Sequence, residues 1–135
     1  MKNMHKSYML NSDINRVLGE LGHTDQLCIG DCGLPVPAGV EKIDLALKKG
    51  LPGFWDVLEA VAENMLVERI TVAEEMKLHC PELLEKIKQY FGEAVELRFV
   101  THAQLKQETQ SCKTIVRTGE MTPYANIILT AACLF

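Results

Sequence analysis

Apolar positions along this chain fall into two rhythms that take turns from end to end. Ile14, Val17, Leu18 and Leu21 recur at three- and four-residue steps, the period of a helix with one buried face. Ser12 is placed to cap that helix, and Gly22 suits the left-handed position that would stop it. Residues 27–30 are a short apolar run that predicts a buried strand. Residues 31–39, with Pro35, Pro37 and two glycines, predict a loop. A second strand is expected over 40–47 and a turn over 49–53. A helix over 54–66 follows, with Phe54, Val57, Leu58, Val61 and Met65 on one face.

The second half repeats the alternation. The β-branched residues of 69–73 predict a strand. Pro81 suits a helix start, with Leu83, Leu84, Ile87 and Phe91 as its buried stripe. Residues 95–100 alternate as a strand does, and Thr101 is placed to cap a helix running through Gln110. Two more strands are expected over 113–117 and 125–131, joined by a turn over 118–124. Strands alternating with helices predict an α/β fold. The expectation is a single three-layer domain over 1–135, its helices packed on a mostly parallel or mixed sheet. There is no internal repeat, low-complexity tract or linker.

Composition narrows the function classes. In 135 residues, 47% are hydrophobic and 24% charged, enough for one packed core. The formal net charge of −4 and the lack of a Lys/Arg run argue against a nucleic-acid partner. No segment nears the roughly 18 apolar residues of a membrane helix, so no membrane partner is expected. The first ten residues lack the apolar core of a secretory signal, which predicts a cytoplasmic setting. There the five scattered cysteines would stay reduced, most of them as core thiols.

Candidate chemistry sits on the connections, where a rigid scaffold presents groups to solvent. His23 follows the first helix and Asp31 follows the first strand. An imidazole both gives and takes protons near neutral pH, and Asp25 or Asp31 would orient it. A solvated histidine at a helix end is the plain alternative. Asp31 stands where ligands collect in layered α/β proteins. It is equally suited to hydrogen-bonding its own loop, and the two roles are compatible. His102 lies at a strand-to-helix junction with Lys106 one turn on, a spacing that simple exposure also explains. Tyr124 offers a ring and a hydroxyl. Asn126 opens an apolar strand, where a buried amide must find a partner.

No phosphate-cradling glycine motif and no nucleophile elbow is present, and the histidines at 5, 23, 79 and 102 lack metal-ligand spacing. Cys32 is the thiol placed most like a nucleophile, but the neighbouring Asp31 would weaken it. Neither a metal nor a cofactor is expected.

The motifs taken together resemble one family. They are Leu10-Asn11-Ser12, Leu21-Gly22-His23-Thr24-Asp25, and Asp31-Cys32-Gly33-Leu34-Pro35-Val36-Pro37. Then come Ile43-Asp44, Gly50-Leu51-Pro52, Ala73-Glu74-Glu75, Thr101-His102, and Arg117-Thr118-Gly119-Glu120 running into Pro123-Tyr124-Ala125-Asn126. In that order they resemble the D-ribose pyranase and L-fucose mutarotase family, the Gly-Leu-Pro-Val-Pro segment leaning toward ribose. The resemblance implies exchange between the pyranose and furanose rings of free D-ribose, without a cofactor. It implies His23 as the catalytic residue, with Asp31, His102, Tyr124, Ala125 and Asn126 as sugar-binding residues and Lys106 near the same site. It also implies a cytoplasmic homo-oligomer, a ring-like decamer with sites near subunit contacts. Two departures stand out. Cys32 replaces a usual alanine, and Ala132-Cys133 replaces a glycine-containing ending. A non-catalytic sugar-binding module and fucose-type anomer exchange remain the competing functions.

Overall fold

Six strands form one mixed sheet in a computed structural model that describes residues 8–133. The strands are β1 (Gln26–Gly30), β2 (Glu41–Asp44), β3 (Val67–Ala73), β4 (Glu96–Val100), β5 (Thr114–Arg117) and β6 (Ile127–Ala131). Their order across the sheet is β2-β5-β1-β6-β3-β4. β2, β5 and β1 pair in parallel, as do β3 and β4. β6 lies between the two groups and is antiparallel to both β1 and β3. All five other strands therefore end at the same edge, the edge from which β6 departs.

Both faces of the sheet are covered. On one face the buried residues of α1 (Ser12–Glu20), α2 (Phe54–Ala62) and α4 (Pro81–Phe91) meet Leu27, Ile29, Ile70, Val72, Ile127 and Leu129. On the other, Leu105 of α5 (His102–Glu108), Leu34 and Cys112 cover Cys28, Ala73, Ile115 and Ile128. Alternate residues of β1 thus serve opposite cores, and the strand reads as continuously apolar because neither side faces water. Cys28, Cys80 and Cys112 are buried. Burial pushes the Cys112 thiol up to about 12, which makes it a packing group. No helix among the described residues is long and apolar enough to cross a membrane. The N-terminal stretch considered as a signal lies mostly outside the described residues.

Several boundaries differ from the sequence expectation, each for a local reason. The cap of α1 is Asn11, whose Oδ1 accepts the Ile14 N–H at 2.9 Å, while Ser12 is already helical. The helix leaves through an extended Leu21, and Gly22 is not left-handed. Thr24 takes that conformation instead, at φ 71°. β2 stops at Asp44 because its Oδ1 accepts the Ala46 N–H and bends the chain. α2 stops at Ala62, and the Asn64 amide folds back onto the Ala60 carbonyl. α5 ends at Glu108 and tightens into a 3-10 turn, Thr109–Ser111, in which the Thr109 hydroxyl donates to the Lys106 carbonyl at 2.6 Å. One short helix, α3 (Met76–His79), has no counterpart in the pattern; only Met76 of its four residues is buried.

Candidate active site

The carboxyl edge of the parallel strands holds a cleft of about 360 Å³. It is lined by Asp31 and Cys32 after β1, His102 after β4, and Glu120, Met121 and Tyr124 between β5 and β6. Ligands gather at this edge of layered α/β folds because several loops converge there.

The cleft is built by a tight set of backbone contacts. The Gly30 carbonyl accepts both the N–H (3.0 Å) and the hydroxyl (2.8 Å) of Thr118, and the Glu120 carbonyl accepts the Cys32 N–H (2.9 Å). Gly119 presses against the Leu51 backbone. A Cβ there would lie 2.5 Å from the Leu51 carbonyl oxygen, so no other residue fits. Glu120 fastens the turn: its Oε1 accepts the Phe54 N–H, and its Oε2 accepts the N–H and hydroxyl of Thr122. Burial alone would raise its pKa, but these hydrogen bonds hold the carboxyl below the usual 4.5.

His102 opens α5. Its backbone N–H donates to both carboxylate oxygens of Glu75, at 3.0 and 3.2 Å, and Thr101 caps the helix by accepting the Gln104 N–H. The His102 ring stands edge-on to Tyr124, centroids 5.0 Å apart at 88°, and His79 approaches the same Tyr124 ring at 5.0 Å. Tyr124 has φ 66°, a left-handed conformation unusual for an aromatic residue. Behind the cleft, Ala125 and Asn126 are fully buried. Asn126 Oδ1 accepts the Asp31 N–H at 2.9 Å, which answers where its polar end goes.

Among the described residues, four buried side-chain polar atoms lack a hydrogen-bond partner, and two of them are here: His102 Nδ1 and Asn126 Nδ2, the Asn126 amide lying beside the Asp31 carboxylate. A buried polar group left unpaired costs about 1–3 kcal/mol, so such atoms cluster where a ligand supplies the partner. Asp31 adds a carboxylate whose Oδ1 accepts the Gly33 N–H at 3.0 Å. Burial raises the pKa of Asp31, against the opposing pull of the Gly33 N–H and of nearby Asn126 and His102. A raised carboxyl pKa means the native state prefers the protonated form. Its favourable contribution is complete below 3.8 and is lost as the pH rises through the native value. Asp31→Asn should therefore stabilise the fold modestly at neutral pH, the gain reduced by the partial exposure of the carboxyl. The gain should close as the pH falls through the raised native value toward 3.8, which thermal melts across pH check.

The sequence candidates are thus divided. Asp31, His102 and Tyr124 share the cleft, with Ala125 and Asn126 immediately behind. Lys106 is exposed one turn further along α5 and does not line it. His23 is elsewhere. It precedes β1 while Asp31 follows it, so the five residues of β1 separate them by about 17 Å at 3.3 Å per residue. Neither expected aspartate orients the His23 ring. Asp25 Oδ2 accepts the Gly22 N–H, and the partner of His23 is Glu68, Nε2 to Oε1 2.8 Å. Sequence analysis missed Glu68, Glu75 and Glu120. Glu75 and Glu120 stood inside family motifs, which was the available signal. Among the described residues no group of three His, Cys, Asp or Glu is placed to hold a metal ion.

The sequence model of the RbsD / FucU transport protein family matches residues 4–134. A D-ribose pyranase of Clostridium perfringens (strain SM101) is 49% identical over 132 residues, covering 98% of this chain and 100% of its own. A D-ribose pyranase of Streptococcus uberis is 51% identical over 126 residues, covering 93% and 96%. The structure of Bacillus subtilis RbsD complexed with D-ribose superposes with a TM-score of 0.94 at 46% identity, covering 98% of this chain and 100% of that one.

Proposed function

We propose that this chain, which belongs to the RbsD / FucU transport protein family, interconverts the pyranose and furanose forms of free D-ribose. The observation that carries the proposal is the pair of unpartnered buried atoms, His102 Nδ1 and Asn126 Nδ2, next to the Asp31 carboxylate. His102 Nδ1 and the Asp31 carboxylate at the cleft, with the Asn126 amide behind them, suit a ligand dense in hydroxyls, and the relatives named above are D-ribose pyranases or a protein complexed with D-ribose.

The reaction is an exchange of one C–O bond. In opening, the bond from the anomeric carbon to the ring oxygen breaks. The ring oxygen gains a proton, and the anomeric hydroxyl loses one to become the aldehyde oxygen. In closure a different hydroxyl adds to the aldehyde carbon, gives up its proton, and the anomeric oxygen takes one back. No electron leaves the sugar, so the chemistry calls for no cofactor. The requirements are a proton donor, a proton acceptor and a holder for the hydroxyls, and such groups typically contribute about 10²–10⁴ in rate.

His23 gives the proton in this reading and recovers it on closure, while Asp31 holds a sugar hydroxyl and steadies the developing charge. His102, Tyr124, Ala125 and Asn126 hold the sugar. Because β1 separates His23 from the cleft of its own chain, the donor comes from a second copy. Two features support this arrangement. His23 keeps about half its side-chain surface exposed. The lip of the cleft at Cys32 and Met121 continues into a groove that the exposed Leu47 shares with Lys48, Lys49 and Arg117, a mixed apolar and cationic margin that a neighbouring copy with a net charge of −4 suits. The working form is then a cytoplasmic homo-oligomer, a decamer if it follows the family, with each site completed by a neighbour.

Saturation-transfer NMR on equilibrated D-ribose tests the activity. Saturating a pyranose signal should attenuate the furanose signals strongly when the protein is added. Ribose affinity without faster exchange would make the chain a sugar-binding module, and faster exchange for L-fucose than for ribose would make it a fucose-type mutarotase.

A further inference from the structure

α3 is too short to carry a buried stripe, yet both of its ends reach the groups around the cleft. Its N-cap, Glu75, grips the backbone N–H of His102 with both carboxylate oxygens. Its last residue, His79, lays its ring against Tyr124, with the centroids 5.0 Å apart and the planes tilted by 37°. Met76, fully buried, anchors the helix between these ends, and α4 starts at Pro81, just past Cys80. The Cys80 thiol points to the carbonyl of Pro123 at 3.8 Å, next to Tyr124 in the chain. The Tyr124 ring therefore has one imidazole edge-on, His102, and a second in a tilted stack, His79. Beyond His79 lies a second cavity of about 440 Å³, lined also by Trp55, Pro81, Glu120 and Thr122. His79 lines this cavity and touches Tyr124, which lines the sugar cleft, so its imidazole stands in the partition between the two.

We propose that His79 is a positioning residue for Tyr124: its ring keeps the tyrosine over the sugar cleft and out of the adjoining cavity. Tyr124 needs such a stop. Its φ of 66° is a conformation that persists only where the surroundings over-determine it. The backbone supplies part of that constraint, since the Tyr124 carbonyl accepts the Asn126 N–H at 2.9 Å. The ring itself is only half-buried and has open space on two sides, the cleft beside His102 and the cavity beside Trp55. A flat imidazole on the cavity side fills the way out and attracts the tyrosine ring by aromatic packing. Ribose affinity scales with the fraction of molecules whose Tyr124 faces the cleft, so a looser ring binds the sugar more weakly. His79 is exposed and does not line the sugar cleft, so it acts through Tyr124 and adds little to the core. The inference rests on the sugar-holding role of Tyr124 proposed above.

The test compares His79→Ala, His79→Phe, Tyr124→Ala and the double variant His79→Ala/Tyr124→Ala. Each is measured by ribose titration, by ring exchange at saturating ribose and by melting temperature. His79→Ala should weaken ribose affinity and raise KM about 3- to 10-fold, the range an aromatic pair supplies, with kcat within about twofold and melting little changed. His79→Phe should restore most of the affinity, since it keeps a flat ring in the partition. On the Tyr124→Ala background His79→Ala should cost nothing further, because its effect passes through the ring already removed. Unchanged affinity in His79→Ala, a loss that His79→Phe does not restore, or an equal loss on both backgrounds would overturn the proposal while leaving Tyr124 in its role. A Tyr124→Ala protein that binds ribose as tightly as the wild type would overturn the role of Tyr124, and this proposal with it.

Discussion

Replacing His23 with alanine should remove most of the acceleration of ribose ring exchange, about 10²–10⁴-fold, while ribose still binds. The separation of the two readouts follows from the fold. His23 precedes β1, and the cleft lies past its other end, so loss of the imidazole leaves Asp31, His102, Tyr124 and Asn126 undisturbed. The ring is half exposed and contributes little to the core, so the melting temperature should change by no more than a surface substitution does. A surface ion pair with Glu68 would by itself be worth at most about 1 kcal/mol. Exchange measured by saturation transfer, affinity by ribose titration and stability by thermal melting check the three parts.

The second large effect is a recovery. His23→Ala and His102→Ala proteins should each be slow, the first for want of the proton donor and the second for want of a sugar contact. Refolded together or co-expressed, they should regain activity. If each site takes His23 from one copy and His102 from another, random pairing leaves about one site in four with both groups intact. A site contained within one chain cannot recover at all, since every chain in the mixture lacks one of the two. Activity of the mixture against that of each parent distinguishes the cases without any knowledge of the subunit count.

How much of this could be seen in the chain depends on what sets each feature. The order of strands and helices was legible because each element carries a buried stripe of its own: Ile14 and Val17 in α1, Phe54, Val57, Leu58 and Val61 in α2, Leu84 and Ile87 in α4. Element ends were less so. They were decided by single side chains competing for the backbone, as Asp44 does at Ala46 and Asn64 at Ala60. α3 buries only Met76 and has no stripe to find.

The site divides in the same way. Asp31, His102 and Asn126 each adjoin a strand that its own apolar pattern marks, so their common edge followed once the strands were known to be parallel. Glu75 and Glu120 act through backbone N–H groups at His102 and Phe54, partners distant in sequence. The pairing of His23 with Glu68 depends on a one-residue slip between β3 and β6, which no periodicity encodes. The nearby Asp25 and Asp31 were the natural guesses from spacing. One instead closes its own turn on Gly22, and the other is carried to the opposite end of β1.

The central claim is that an imidazole from one copy serves a sugar held in the cleft of another, and a crystal grown with D-ribose tests it most directly. The account predicts a ribose oxygen within hydrogen-bond reach of both His102 Nδ1 and Asp31, with His23 Nδ1 of a neighbouring copy about 3 Å from the ring oxygen. A sugar seated in that cleft with no His23 ring from any copy near its anomeric end would contradict it.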